Sequence, residues 1–378
     1  MIRALVFAQF GSFGGTRAYL VELLRLLKSQ NIEVILCGLS DADEEMEALC
    51  ESLGFVCHDF PSAENAGSVF NIQHLIFGRF REQRAMKRLQ LIHRPDLVIA
   101  SASTPGVFLG SRHGFHPDVY ILHSYPVDNR TGIRGWLKRK AINFRMPVKM
   151  KYLTVSSYSR SQLIQCWGLT PKRFFTKVIY NTAADLALPR VASSTTPLVV
   201  TIGHVTEYKN PLLWIRVARD VIKKVSDARF IWVGDGDLLE FCKAKVQDLG
   251  IEDQVAFVGR NDDVVPILQI ATVYFQPSQI ENCSIAVLEA MRSGVPCVVS
   301  NRGGLPELVE DGVTGMVVEL QDESGIAHTL SSLLRDKGRQ KRFGKSGAKR
   351  YREMFGPERW KEETLTFLGL NQVKGNTK

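Results

Sequence analysis

The chain has 378 residues, more than one ordinary core of ~100–200 residues holds, so two domains are expected. Hydrophobic residues at 45% and charged residues at 23% exclude wholesale disorder, and no run approaches the ~20 apolar residues of a transmembrane helix. The formal charge of +9 lies wholly in residues 1–180, with 23 Lys/Arg against 14 Asp/Glu, while residues 181–378 carry 25 of each.

The chain opens on a strand-like run, Ala4–Ala8, with no basic stretch leading a long apolar one, so no secretory signal is expected. Gly11-Ser-Phe-Gly-Gly-Thr16 follows, before an amphipathic helix over Thr16–Ser29. Its glycines fall at positions 1, 4 and 5, not the 1, 3 and 6 of a dinucleotide fingerprint, and no acid ends the next strand. What remains at Gly14 and Gly15 is a glycine turn at a helix start, where free N–H groups suit a phosphate. Strands are expected at Glu33–Cys37, Leu97–Ala100, Val119–His123 and Tyr152–Val155. His123 closes one of them and is placed to face a cleft, although taken alone it reads first as a satisfied structural histidine. Between the last two, Arg130, Arg134, Lys138, Arg139, Lys140, Arg145, Lys149 and Lys151 interleave with Trp136, Ile142, Phe144 and Met146. That segment reads either as a solvated helix face or as a surface for anionic lipid headgroups or an anionic substrate. No helix-turn-helix, zinc-finger or ribonucleoprotein motif accompanies it, so nucleic acid is not an expected partner.

Residues 185–196 are polar and proline-flanked and read as a linker between a domain at 1–184 and another at 197–350. Strands resume at Leu198–Ile202, Phe230–Val233, Val255–Val258, Val273–Gln276, Cys297–Ser300 and Gly315–Val318. Strand–helix alternation with several continuously apolar strands implies two doubly wound parallel sheets, an α/β fold. In such sheets ligands bind outside the carboxyl ends of strands. There stand Gly203, His204 and Lys209, the last just before a helix begun by Asn210 as N-cap and Pro211. There too stands Glu281, in a loop before a helix opening near Asn282–Ser284, with Glu289 inside it and Gly294-Val-Pro296 closing it. The N–H groups of Ser284 and Ile285 would point at an anion. Asn301-Arg-Gly-Gly-Leu-Pro-Glu307 makes another glycine turn. Asp235-Gly-Asp237 reads as a turn with Asp237 as a cap in preference to a divalent-metal pair. The seven cysteines are scattered without a Cys-x-x-Cys pair, which argues against disulfides or zinc and for a reducing cytosol.

Taken together, Gly14-Gly15, Gly203 with Lys209, Val233-Gly-Asp-Gly236, Phe257-Val-Gly259 and Pro277-Ser278 resemble the retaining GT-B glycosyltransferases of family 4 (glycosyltransferase group 1). Glu281 and Glu289, Ala290-Met291, Gly294-Val-Pro296 and Gly303-Gly304 with Glu307 complete the resemblance, which is specific over 198–320 and looser over 1–180. It implies two Rossmann-like domains facing across a cleft, the first for the acceptor and the second for the nucleotide sugar, with a helix over 351–370 crossing back. It further implies that Lys209 neutralises the donor pyrophosphate, aided by Ser284 and Ile285 amides and by Gly15 from the other domain. Glu289 would bind the ribose, Glu281 the donor-sugar hydroxyls, His123 would lie near the reacting face, and Arg260 would line the nucleotide pocket. A UDP-sugar is favoured and a GDP-sugar possible, with a glycan or polyprenyl/lipid-linked acceptor on an anionic membrane surface. No metal and no further cofactor are expected. His204 departs from the arginine usual at that place, and Asn181-Thr182 from the usual Asn-Gly. A sugar-nucleotide epimerase of the same build and a non-catalytic nucleotide-sugar-binding protein are the rival readings.

Overall fold

The computed structural model describes residues 2–8, 14–38, 44–59, 84–102, 117–124, 140, 151–167, 174–184, 196–261 and 263–371. The chain divides into two compact units, residues 1–180 with 361–378, and residues 181–360. The expected linker, apart from Thr196, lies outside the described residues, as does the basic segment 130–149 apart from Lys140.

The first unit is built on seven strands: β1 (Arg3–Ala8), β2 (Glu33–Gly38), β3 (Val56–Asp59), β4 (Leu97–Ala102), β5 (Val119–Leu122), β6 (Lys151–Thr154) and β7 (Phe175–Val178). All pairings are parallel, in the order β3-β2-β1-β4-β5-β6-β7. Every residue of β4 and β5 is buried, as continuous apolar runs covered on both faces should be. The sequence reading lacks β3 and β7. Both are four-residue edge strands of mixed polarity, with Val56 and Phe175 facing solvent, so neither shows an apolar run. The other strands sit where the apolar runs place them, with ends shifted by a residue or so.

The second unit is a six-stranded parallel sheet: β8 (Leu198–Ile202), β9 (Arg229–Val233), β10 (Val255–Phe257), β11 (Val273–Gln276), β12 (Cys297–Ser300) and β13 (Gly315–Val318), in the order β10-β9-β8-β11-β12-β13. Its core is aromatic where the Pro211–Ile222 helix meets the sheet. The Trp214 ring lies edge-on to Trp232 and Phe257, both at 5.3 Å between centroids. Trp232 donates its indole N–H to the Gly203 carbonyl at 2.8 Å, so core packing fixes the start of the first loop beyond the sheet. Each sheet reverses strand order once, between β1 and β4 and between β8 and β11. By the rule for doubly wound sheets, those reversals place the binding crevices. Five of the seven cysteines are buried, and no helix among the described residues is long and apolar enough to cross a membrane.

Candidate functional site

Three neighbouring strands of the second sheet end in glycines that touch one another. Gly203 donates to the Val233 carbonyl at 2.9 Å, and Gly234 donates to the Gly259 carbonyl at 2.8 Å. Gly234 has φ +150, and a Cβ there would stand 2.0 Å from the Gly203 oxygen. Only a hydrogen fits, which brings the backbones after β8 and β9 close enough to shape one shelf at the carboxyl edge.

From that shelf the chain makes a 3-10 turn, Glu207–Lys209, and then the Pro211–Ile222 helix. Asn210 occupies the N-cap position in the left-handed region at φ 63, and its side chain makes no capping bond. Its role differs from the expected side-chain cap: the sharp backbone reversal swings Lys209 inward. Lys209 is 9% exposed, its chain lies along Gly203, and its ammonium donates to Glu281 Oε1. The two are 72 residues apart in sequence and come from opposite sides of the β8/β11 reversal. Neither faces open solvent, since their side chains are 11% and 13% exposed.

The same Glu281 oxygen accepts from Gln276 Nε2 at 2.7 Å and Ser278 Oγ at 3.3 Å. Gln276 Oε1 in turn accepts from the Tyr274 hydroxyl at 2.9 Å and from Ser284 Oγ at 3.0 Å. Ser284 caps the Ile285–Arg292 helix by accepting from the Val287 N–H at 3.4 Å. One amide therefore links the carboxylate of Glu281 to the N-terminus of a helix. Tyr274 and Gln276 escape the sequence reading because they lie inside an apolar strand run; the polar end of that run at Gln276 is the only signal.

Backbone bonds clamp the loop from outside. The Gln279 N–H donates to Tyr208 O at 2.7 Å and the Gly304 N–H to Glu281 O at 2.8 Å. Asn181 Nδ2 donates to Cys283 O at 2.8 Å, so Asn181 holds this loop although Thr182 follows it in place of the expected glycine. Gly303, at φ +63, leaves no room for a Cβ, which would fall 1.9 Å from the Glu281 oxygen.

Electrostatics follow from this burial. Burial alone would lower the Lys209 ammonium, but Glu281 beside it outweighs that and raises its pKa above the ordinary value. His204 is half-buried; burial first, and then Lys209, hold its imidazole below the usual value against the opposing pull of Glu281 and Asp235. Burial raises the Glu289 carboxyl from 4.5 to about 7, with Arg292 pulling the other way. Ile285 opens its helix, and first-turn N–H groups have no intrahelical acceptor.

The remaining expected residues fall elsewhere. Arg260 is exposed beyond β10. Asp235 and Asp237 are exposed, Asp235 accepts from the Gly236 N–H at 2.7 Å, and Leu238 rather than Asp237 is the N-cap of the next helix. Asp237 does not cap because the turn at Gly236 places it a residue too early. Among the described residues no group of three or more His, Cys, Asp and Glu is arranged to hold a metal.

The first unit has its own cluster at its strand reversal. Gly14, at φ 109, is the N-cap of the Gly15–Ser29 helix that follows β1; residues 9–13 of its loop lie outside the described ones. His123, just past β5, lies 2.9 Å from Ser101 Oγ at its Nε2, and its ring meets Tyr19 edge-on at 4.7 Å. Burial lowers its pKa from 6.5 to about 4.

Residues 189–350 match the family model for glycosyl transferases group 1. The N-acetyl-alpha-D-glucosaminyl L-malate synthase of Bacillus anthracis is 31% identical over 41% of this chain and 42% of its own length. The UDP-Gal:alpha-D-GlcNAc-diphosphoundecaprenol alpha-1,3-galactosyltransferase of Escherichia coli is 32% identical over 36% of each chain. Both matches thus span less than half of the relative's length. Among solved structures, Anabaena Alr3699/HepE in complex with UDP and glucose is similar across 98% of this chain and 100% of its own, at 17% identity and a TM-score of 0.72. Two Rossmann-like domains are therefore shared along the chain, and residues 189–350, which carry Lys209, Glu281 and Glu289, match the model of the glycosyl transferases group 1.

Proposed function

We propose that the protein is a glycosyltransferase that moves a sugar from a nucleoside diphosphate donor to a glycan or lipid-linked acceptor, with retention of anomeric configuration. A UDP-sugar is the favoured donor and a GDP-sugar the second choice. The observation that carries this reading is the Lys209–Glu281 pair at the strand reversal, tied through Gln276 to a helix N-terminus. A cation, a hydroxyl acceptor and free backbone N–H groups are what a diphosphate-linked sugar requires side by side.

Departure of a nucleoside diphosphate builds negative charge on its oxygens. In this reading Lys209 exchanges Glu281 for that diphosphate, and the Ser284 and Ile285 amides add fixed donors. Glu281, released, accepts from donor-sugar hydroxyls, while Gln276 and Ser278 hold it in place. His204, neutral in the folded chain, donates a hydrogen bond where a guanidinium would give a charged fork. Glu289 accepts from the ribose hydroxyls and Arg260 flanks the base. In the first unit, Gly14 and Gly15 offer backbone N–H groups to phosphate, and the His123 imidazole serves the reacting hydroxyl.

With a lysine and a helix terminus serving the leaving group, no metal is required, and turnover survives EDTA. Loss on chelation, restored by Mg²⁺ or Mn²⁺, would make Asp235 and Asp237 a metal pair. The basic N-terminal half supports action at the cytoplasmic face of an anionic membrane without a spanning segment. Calorimetric titration with UDP-, GDP- and ADP-sugars tests the donor assignment. One donor is expected to bind, with ~100-fold weakening in Lys209→Met from loss of a charge-assisted contact. Binding unchanged in that variant would remove Lys209 from the site.

A further inference from the structure

The even charge balance of residues 181–378 conceals a segregation. Residues 335–352 hold nine Lys/Arg and one acid, Asp336, leaving the rest of 181–378 with 16 basic residues against 24 acidic. Most of this block is a single helix, Lys337–Arg350, which has no acid in its first turn. At ~100° per residue, Lys337, Lys341, Lys345 and Lys349 form one row down the helix with Arg342 beside it. All five are exposed, as is Arg352 just beyond. Gln340, Phe343, Gly344 and Gly347 form the opposite, buried face. A Cβ on Gly347 would lie 3.5 Å from the Thr314 oxygen, so the helix is seated closely and its charged face points away from the fold.

That row has no folding reason. Like charges four apart destabilise a helix, and cations in a first turn oppose its dipole. Among the described residues, ion pairs reach only its C-terminal end, Lys349 with Glu353 at 3.8 Å and Arg350 with Glu310 at 3.6 Å. Lys337, Lys341, Arg342 and Lys345 form none.

We propose that this face docks the second unit on an anionic lipid bilayer. The row winds about 120° around the helix over about 18 Å, so its charges spread across one half of the helix surface. It consists mainly of ammonium point charges, which suit a diffuse layer of phosphate headgroups better than a planar, bidentate partner does. No exposed large hydrophobic residue lies within 335–352, so no aromatic is present to stack on nucleic-acid bases and nothing inserts into the acyl region. Docking is therefore electrostatic adsorption. It is separate from the sugar transfer proposed above and from the basic segment of the first unit.

The test is co-sedimentation of the full chain with vesicles of phosphatidylcholine alone or mixed with phosphatidylglycerol. Binding is expected only to the mixed vesicles at ~0.1 M salt, and it is expected to vanish near ~1 M, where the Debye length falls to ~3 Å. At roughly fivefold per charge, changing Lys337, Lys341, Lys345 and Lys349 to Gln should weaken binding at least ~100-fold, with donor binding unchanged and Tm equal or higher, since the like-charge row is relieved. The double variant Lys341→Gln/Lys345→Gln, gentler on folding, should lose about 20-fold. Reversing Lys138, Arg139 and Lys140 to Glu should leave the contribution of the helix in place. Wild-type vesicle binding in the folded quadruple variant would overturn the proposal. So would equal binding to neutral vesicles, or tighter binding to a DNA duplex at the same salt.

Discussion

Lys209 and Glu281 are each other's main compensation in a place where water barely reaches. Removing one leaves the other charged and buried, a penalty of ~3–5 kcal/mol when burial is complete. Lys209→Met and Glu281→Gln are each expected to lower unfolding free energy by about 1–3 kcal/mol, and the double variant by clearly less than their sum. A denaturant double-mutant cycle reads this, and strict additivity would mean the pair does not interact. Glu289 behaves in the opposite sense. Its folded value of about 7 against the usual 4.5 means that protonation favours folding, so its contribution is fully present below about 4.5 and is lost as pH rises through 7. Glu289→Gln should therefore stabilise the chain at pH ~8 by about 1–3 kcal/mol while weakening donor binding, the pattern of a residue kept for function. A variant that is both less stable and unimpaired in binding would contradict the assignment. His123, lowered to about 4, stays neutral in the folded chain; the unfolded chain takes up its proton nearer 6.5, so stability falls as pH drops between those values. His123→Phe should flatten that acid limb by up to about 3 kcal/mol in pH-dependent melts.

At the scale of elements, the glycine turns separate sterics from conformational preference. Gly250 and Gly234 both have positive φ, but a Cβ at Gly250 meets nothing within 4 Å, whereas at Gly234 it meets the Gly203 oxygen at 2.0 Å. Gly250→Ala is expected to cost about 1 kcal/mol and Gly234→Ala more than about 3 kcal/mol, measured by denaturant midpoints. Equal costs would mean that the Gly203–Gly234 contact yields freely. The glycine turn at Gly234 and the apolar strands were readable in the sequence because each is local: a spacing or a run. The edge strands β3 and β7 were not, because half-solvated strands of four residues have no apolar run to read. Nor was the left-handed turn at Asn210, where an Asn-Pro sequence suggests a side-chain cap and the backbone supplies the reversal instead.

For the whole molecule, two parallel sheets and the loops beyond their carboxyl ends were legible from strand–helix alternation. Which side chains meet there was not. Lys209 and Glu281 lie 72 residues apart, and only the strand order, with β8 beside β11, makes them neighbours. Gln276, which joins Glu281 to Ser284, is close to both in sequence but hidden at the end of an apolar strand run. The central claim is that this assembled pair serves sugar transfer, and transfer with balanced products tests it most directly. The purified chain is incubated with the donor that binds and with membrane-lipid extract, and released nucleoside diphosphate and glycosylated lipid are quantified by mass spectrometry. The expected result is one diphosphate released per sugar added, with turnover reduced ~100–1000-fold in Glu281→Gln despite a folded protein. Diphosphate release without any glycosylated product, an epimerised donor, or full turnover in Glu281→Gln would contradict it.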